Sequence, residues 1–201
     1  MAFQTALTIK ETITNIDGKK YLLPSIQREF VWNVDQITKL FDSLMLGYPI
    51  GSFLFWEVEG ANTKEFIFYE FLRDYHEKEN THNTKANLNG IETVTAILDG
   101  QQRLTSLYVG LMGTYAYKKP YFRYDNPNAY PTRKLYLNLL AKSEHDDWTY
   151  DFAFLTNDEY KNDDNHGNHH FKWWFEMAPI RGQYGQRLKA LACQPLLLAT
   201  P

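Results

Sequence analysis

Thr93-Val94-Thr95-Ala96-Ile97-Leu98-Asp99-Gly100-Gln101-Gln102-Arg103-Leu104-Thr105-Ser106-Leu107 carries the most informative local geometry in this chain. Its first six residues form a β-branched, apolar run, which predicts a strand. Leu104, Leu107, Tyr108 and Leu111 then fall at helical spacing, and Gly113 closes the pattern, so a helix is predicted from about residue 101 to 112. A strand thus passes through Asp99-Gly100 directly into a helix. Free N–H groups at a helix start attract phosphate. A glycine in such a turn lets a ligand approach the backbone closely.

The flanking segments add strands and helices. Tyr21-Leu22-Leu23-Pro24 begins as a short strand, and Pro24 either ends it or places it at an edge. Asn33 and Gln36 form a capping-box pair ahead of Val34, Ile37, Leu40, Phe41 and Leu44. Gly47 and Pro49 supply the stop, so a helix is predicted over 34–46. Residues 52–58 are apolar nearly throughout, which predicts a strand buried on both faces. Phe66 to Tyr69 fits a strand or a helix start equally. Lys134 to Leu139 reads as one more strand and Phe171 to Met177 as a short packed helix. Residues 74–92 and 142–170 are polar and read as loops. The expected organisation is one domain over 1–177 with those two polar insertions. Residues 178–201 are expected to be a truncated or atypical continuation: Arg181 to Pro201 holds three basic residues, no acidic one and Cys193.

Composition bounds what this domain can be. The chain has 201 residues, 44% of them hydrophobic and 22% charged, which is globular usage and argues against wholesale disorder. A chain of this size buries roughly 70% of its unfolded surface and needs no disulfide or metal staple. Its single cysteine builds neither an internal disulfide nor a cysteine zinc site, which suits a reducing cytoplasm. No apolar run approaches the roughly 20 residues of a membrane helix. The formal net charge is −3, and no basic tail or basic helix appears. If DNA is a partner, the contact is a local groove and not the whole surface. The aromatic content, 16%, is expected to serve mainly the core.

Two clusters can carry chemistry. In the first, Arg103 can clamp a phosphate or stabilise charge in phosphoryl transfer. Gln101 and Gln102 can position a water or read a base edge, and Asp99 can hold a metal ion or orient Arg103. The competing reading is a capped helix start with an Asp–Arg pair. In the second, Gln27 and Arg28 precede Phe30 and Trp32. Arginine beside aromatics suits a nucleotide or a splayed base, whereas the competing reading puts Trp32 in the core and Arg28 in an ion pair. His166, His169 and His170 lie near Asp163 and Asp164 in a polar stretch whose spacing fits a solvated loop better than a metal site. Cys193 has no neighbouring base. No Walker loop, serine-hydrolase elbow or zinc-protease motif occurs.

Three motifs occur in order: Pro24-Ser25-Ile26-Gln27-Arg28-Glu29-Phe30-Val31-Trp32, Leu44-Met45-Leu46-Gly47-Tyr48-Pro49-Ile50-Gly51-Ser52, and Ile97-Leu98-Asp99-Gly100-Gln101-Gln102-Arg103-Leu104-Thr105-Ser106-Leu107. Together they resemble the N-terminal domain of the GmrS/GmrSD family of modification-dependent restriction proteins. The resemblance covers about residues 10–140 and fades after about 177. It implies an α/β (α+β) domain of the wider ParB/sulfiredoxin-like fold, with a small mixed sheet flanked by helices. It also implies nucleotide binding and hydrolysis at the Asp-Gly-Gln-Gln-Arg motif, in phage defence. Carried over, Asp99, Gln101, Gln102 and Arg103 are the expected catalytic residues. Gln27, Arg28, Gly100, Arg103 and Thr105 would bind GTP or ATP, and Asp99 a Mg²⁺ ion. Arg28 and Trp32 would contact modified DNA. Cleavage in such proteins usually resides in a C-terminal His-Asn-His-type nuclease domain, and residues 178–201 are too short to be one. The alternative expectations are a non-catalytic module that binds a modified base, and a fragment of a longer nuclease.

Overall fold

A computed structural model describes residues 2–143, 147–162, 174–176 and 195–200. It is a mixed α/β fold built on two sheets. The first sheet holds β1 (Ala2–Thr8), β2 (Tyr21–Pro24), β3 (Ser52–Glu59), β4 (Phe68–Tyr69), β6 (Thr93–Asp99) and β11 (Pro195–Thr200), in the order β1-β11-β3-β6-β2-β4. The second holds β5 (Asp74–His76), β7 (Thr114–Ala116), β8 (Thr132–Lys142), β9 (Tyr150–Leu155) and β10 (Trp174–Glu176), with β9 and β10 both pairing with β8. Both sheets mix parallel and antiparallel pairs: β6 runs parallel to β2 and antiparallel to β3, and β7 parallel to β5 and antiparallel to β8.

Among the described residues there are four α-helices: α1 (Ile9–Asp17), α2 (Val34–Met45), α3 (Gln101–Met112) and α4 (Asn157–Asn162). The Asn33–Gln36 capping box of α2 forms as its sequence predicts, with reciprocal hydrogen bonds of 3.0 Å. A second box, Thr8 with Glu11, starts α1; the same signal stands in the sequence at that point and also marks a helix. The buried faces of α1, α2 and α3 meet β3, β6, β8 and β9 in one core that includes Ile13, Phe41, Phe53, Ile97, Leu107, Leu135 and Phe154. A smaller cluster of Leu22, Val58, Phe68, Val94 and Ala96 covers the opposite face of the first sheet.

That second cluster refines the expectation for residues 52–58. Phe53 and Phe55 enter the main core near the start of β3, while Val58 joins the smaller cluster from the other face near its end. The strand is covered on both faces, but at opposite ends, and Glu57 and Glu59 are exposed. Pro24 ends β2, which lies between β6 and β4 and is not an edge.

Several expected loops contain regular structure. Residues 74–76 form β5 within the polar 74–92 stretch, and β9 and α4 lie within 142–170. β5 is three residues long and owes its form to pairing with β7, whereas in β9 Phe152 and Phe154 alternate into the main core within a stretch that is otherwise polar. Residues 174–176 form a strand on β8 instead of part of a helix. Residues 195–200, expected in an atypical continuation, form β11 between β1 and β3. His166, His169, His170, Asp163, Asp164 and Cys193 lie outside the described residues.

Candidate functional site

The strand–glycine–helix turn forms as the sequence predicts, with Gly100 as the N-cap of α3 at φ +89° and no side chain capping the helix. The space beside Gly100 is already filled. A Cβ there would stand 2.3 Å from Phe53 Cδ1 and 3.2 Å from Arg103 Nη2. The glycine is required by internal packing at this point.

Three glutamines lace the turn to the facing loop. Gln27 Nε2 donates to the Leu98 carbonyl at 2.7 Å. Gln101 Nε2 donates to the Arg28 carbonyl at 2.7 Å, and Gln102 Nε2 to the Glu29 carbonyl at 2.8 Å. Gln102 Oε1 also accepts from Val31 N at 3.0 Å. Gln101 and Gln102 are buried, at 6% and 7% exposure, so these amides serve main-chain groups that would otherwise be unpaired. The primary amide suits this task because one side chain donates and accepts at once.

Arg103 performs the same service for the loop before β3. Its Nη1 donates to the Ile50 carbonyl and its Nη2 to the Ser52 carbonyl at 2.9 Å. Asp99 Oδ2 lies 3.4 Å from Nη2, and the guanidinium stacks 4.6 Å above the Phe53 ring centre. A fork of five donors reaches two carbonyls, a carboxylate and a ring face, which lysine could not do. Thr105 is buried in α3. Trp32 is half-buried against the main core, and its carbonyl accepts from Tyr115 Oη at 3.1 Å.

Beside the laced loop opens a cleft of about 340 Å³. Gln27, Arg28 and Gln101 line it, as do Glu29, Tyr69, His82 and Asn83. Arg28 is exposed there, and its guanidinium has no ion-pair or hydrogen-bond partner among the described residues. Of the residues singled out from sequence, the structure therefore brings Gln27, Arg28 and Gln101 to one cleft. It sets Gln102, Arg103 and Gly100 behind it as scaffold, and Asp99 is exposed beside Arg103. His82 was not singled out. Its Nδ1 meets Glu29 Oε1 across 53 residues of sequence, a pairing no local pattern encodes.

Among the described residues, Arg28 is the one arginine or lysine lining the cleft, beside the Glu29–His82 pair, and the Gln27, Gln101 and Asn83 amides there already donate to carbonyls. A cleft of this volume is at the small end of the roughly 300–1,000 Å³ of ligand pockets. Magnesium is held by one or two carboxylates plus phosphate oxygens; Asp99 lies outside the cleft lining beside Arg103, and the carboxylate on the cleft, Glu29, pairs with His82, so the residues present do not assemble the expected Mg²⁺ site. Among the described residues no group of three His, Cys, Asp or Glu side chains is placed to hold a metal by itself. No helix among them is long and apolar enough to cross a membrane.

Fold and site together define a mixed α/β domain whose Asp-Gly-Gln-Gln-Arg turn is laced to an arginine-bearing loop at a polar cleft. The model of the GmrSD restriction endonuclease N-terminal domain matches residues 9–189, and the chain belongs to that family. The match runs past residue 177, where the motif resemblance fades. The chain is also similar to an uncharacterized protein of Methanocaldococcus jannaschii, at 32% identity over 124 residues, which is 62% of this chain and 19% of the relative. It thus spans about a fifth of the length of the curated relative it matches.

Proposed function

We propose that this chain is a nucleotide-binding, NTP-hydrolysing sensor domain of a restriction system directed at modified DNA. The observation that carries the reading is Arg28: an exposed, unpartnered guanidinium on a polar cleft, with its backbone held by Gln101. Arg28 meets the phosphate, and Tyr69 and Asn83 offer a ring face and an amide to the base. Gln27, Gln101, Gln102 and Arg103 act by holding the two loops that shape the cleft. Cleavage would belong to a His-Asn-His-type nuclease elsewhere in the same system.

The test is binding and phosphate release with ATP, GTP, CTP and UTP. At least one is expected to bind, and Arg28→Ala to abolish binding while leaving thermal unfolding unchanged. Neither binding nor turnover with any of the four rejects the reading.

Tyr69 on the same cleft supports a second reading, a module that binds a modified base without catalysis. Such a module retains modified DNA in a mobility-shift assay without nucleotide, with steep salt dependence. An NTPase releases phosphate without DNA.

A further inference from the structure

Tyr117-Lys118-Lys119-Pro120-Tyr121-Phe122-Arg123-Tyr124 lies between β7 and β8 and takes no part in the cleft. These eight residues hold four aromatics, three cations and no acid, in a chain of net charge −3. Tyr121, Phe122 and Tyr124 are all exposed, so the rings do not serve the core. Cations gather on them: Lys119 Nζ lies 5.9 Å from the Phe122 ring centre and Lys78 Nζ 5.3 Å from that of Tyr124. Lys118 Nζ donates to the Phe122 carbonyl at 3.0 Å. The nearby acids are Asp125 in sequence and Glu77, which accepts from Lys118 N.

The backbone adds an independent observation. Phe122 N donates to the Lys119 carbonyl at 3.4 Å, closing a turn with Pro120 second and Tyr121 third. Tyr121 has φ +65°, a position where such turns favour glycine or asparagine. A bulky residue there is an outlier, and the Tyr121 ring is fully exposed, so packing does not offset the strain. Strained residues of this kind cluster at ligand contacts.

We propose that this loop binds an unpaired nucleic-acid strand, with a base stacked on Tyr121 and the phosphodiester backbone alongside Lys119 and Arg123. Lysines and an arginine around the fully exposed Tyr121 ring make a single-strand stacking platform. The proposal stands on residues outside the cleft and does not depend on nucleotide binding there.

The experiment is fluorescence anisotropy of the full chain with a labelled single-stranded DNA oligonucleotide, the same sequence as RNA, and the duplex. A single strand, DNA or RNA, is expected to bind more tightly than the duplex. Tyr121→Ala is expected to weaken single-strand binding roughly tenfold, and Tyr121→Phe to retain it. Lys119→Gln with Arg123→Gln should reduce the salt slope by about 1.4. Tyr121→Gly separates recognition from folding, because it relieves the backbone and raises stability while binding falls. Nucleotide binding at the cleft should survive Tyr121→Ala, so the two readings fail separately. Failure to bind any strand at low salt overturns the proposal, as does a duplex bound as tightly as the single strand, or unchanged affinity in Tyr121→Ala.

Discussion

Arg103 closes directly over Gly51: a Cβ on Gly51, whose φ is +88°, would stand 2.5 Å from the arginine Nη1. The glycine is needed twice, for its left-handed backbone and for the room it leaves to the guanidinium.

Gly51→Ala should therefore destabilise the fold by more than the ~1–2 kcal/mol of the left-handed backbone alone. Arg103→Ala should cost about 2–4 kcal/mol, since two carbonyls lose a charged donor. Urea unfolding midpoints measure both. Arg28→Ala should leave the midpoint where it is, which separates the arginine that faces the cleft from the arginine that builds it.

Gln102→Ala should cost about 2 kcal/mol, because Val31 N and the Glu29 carbonyl both lose their partner in a partly buried place. Gln102→Glu keeps the acceptor for Val31 but sets a carboxyl against the Glu29 carbonyl. Its ionisation is opposed there, so the folded-state pKa is raised. That variant should be most stable below the ordinary carboxylate pKa and lose stability as pH rises, in denaturation at stepped pH.

Burial, together with its 2.8 Å hydrogen bond to Asp17, pushes the Tyr108 phenol well above its ordinary value of 10.0. The folded state then holds the proton that the unfolded chain releases. Stability is expected to be unaffected by this group below pH 10 and to fall as pH rises above it. Tyr108→Phe should lower neutral-pH stability by about 1 kcal/mol and make the alkaline decline shallower.

Ser106 Oγ is buried in α3 and has no hydrogen-bond partner among the described residues. Ser106→Ala removes an unsatisfied hydroxyl from a helix interior. It should raise stability by up to about 1 kcal/mol, read as a higher melting temperature with nucleotide binding unchanged.

Much of the local structure was legible in the sequence. Helix α2 follows from apolar periodicity, a capping box and a glycine stop, and α3 from apolar periodicity and a glycine at each end. β2 and β6 follow from short apolar or β-branched runs. β5 was not legible because three residues carry too little pattern and it is a strand through its pairing with β7; β9 was hidden by the polar residues around its alternating Phe152 and Phe154, and the aromatic run of β10 fits helix or strand equally. The cleft was half legible: Gln27, Arg28 and Gln101, singled out in the sequence, line it, while His82 and Tyr69 enter it only through the fold. Arg103 was expected to face a ligand, and the structure instead turns its fork to the carbonyls of Ile50 and Ser52.

The sequence by itself determined the strand–glycine–helix turn and the residue types around it, since caps, periodicity and turn chemistry act over neighbouring positions. Only the tertiary structure decided what those side chains touch. Gln101 finds Arg28 across 73 residues, and Gln27 finds Leu98 across 71. Those partners are chosen by the order in which β3, β6 and β2 lie side by side, a long-range pairing that local preferences do not specify.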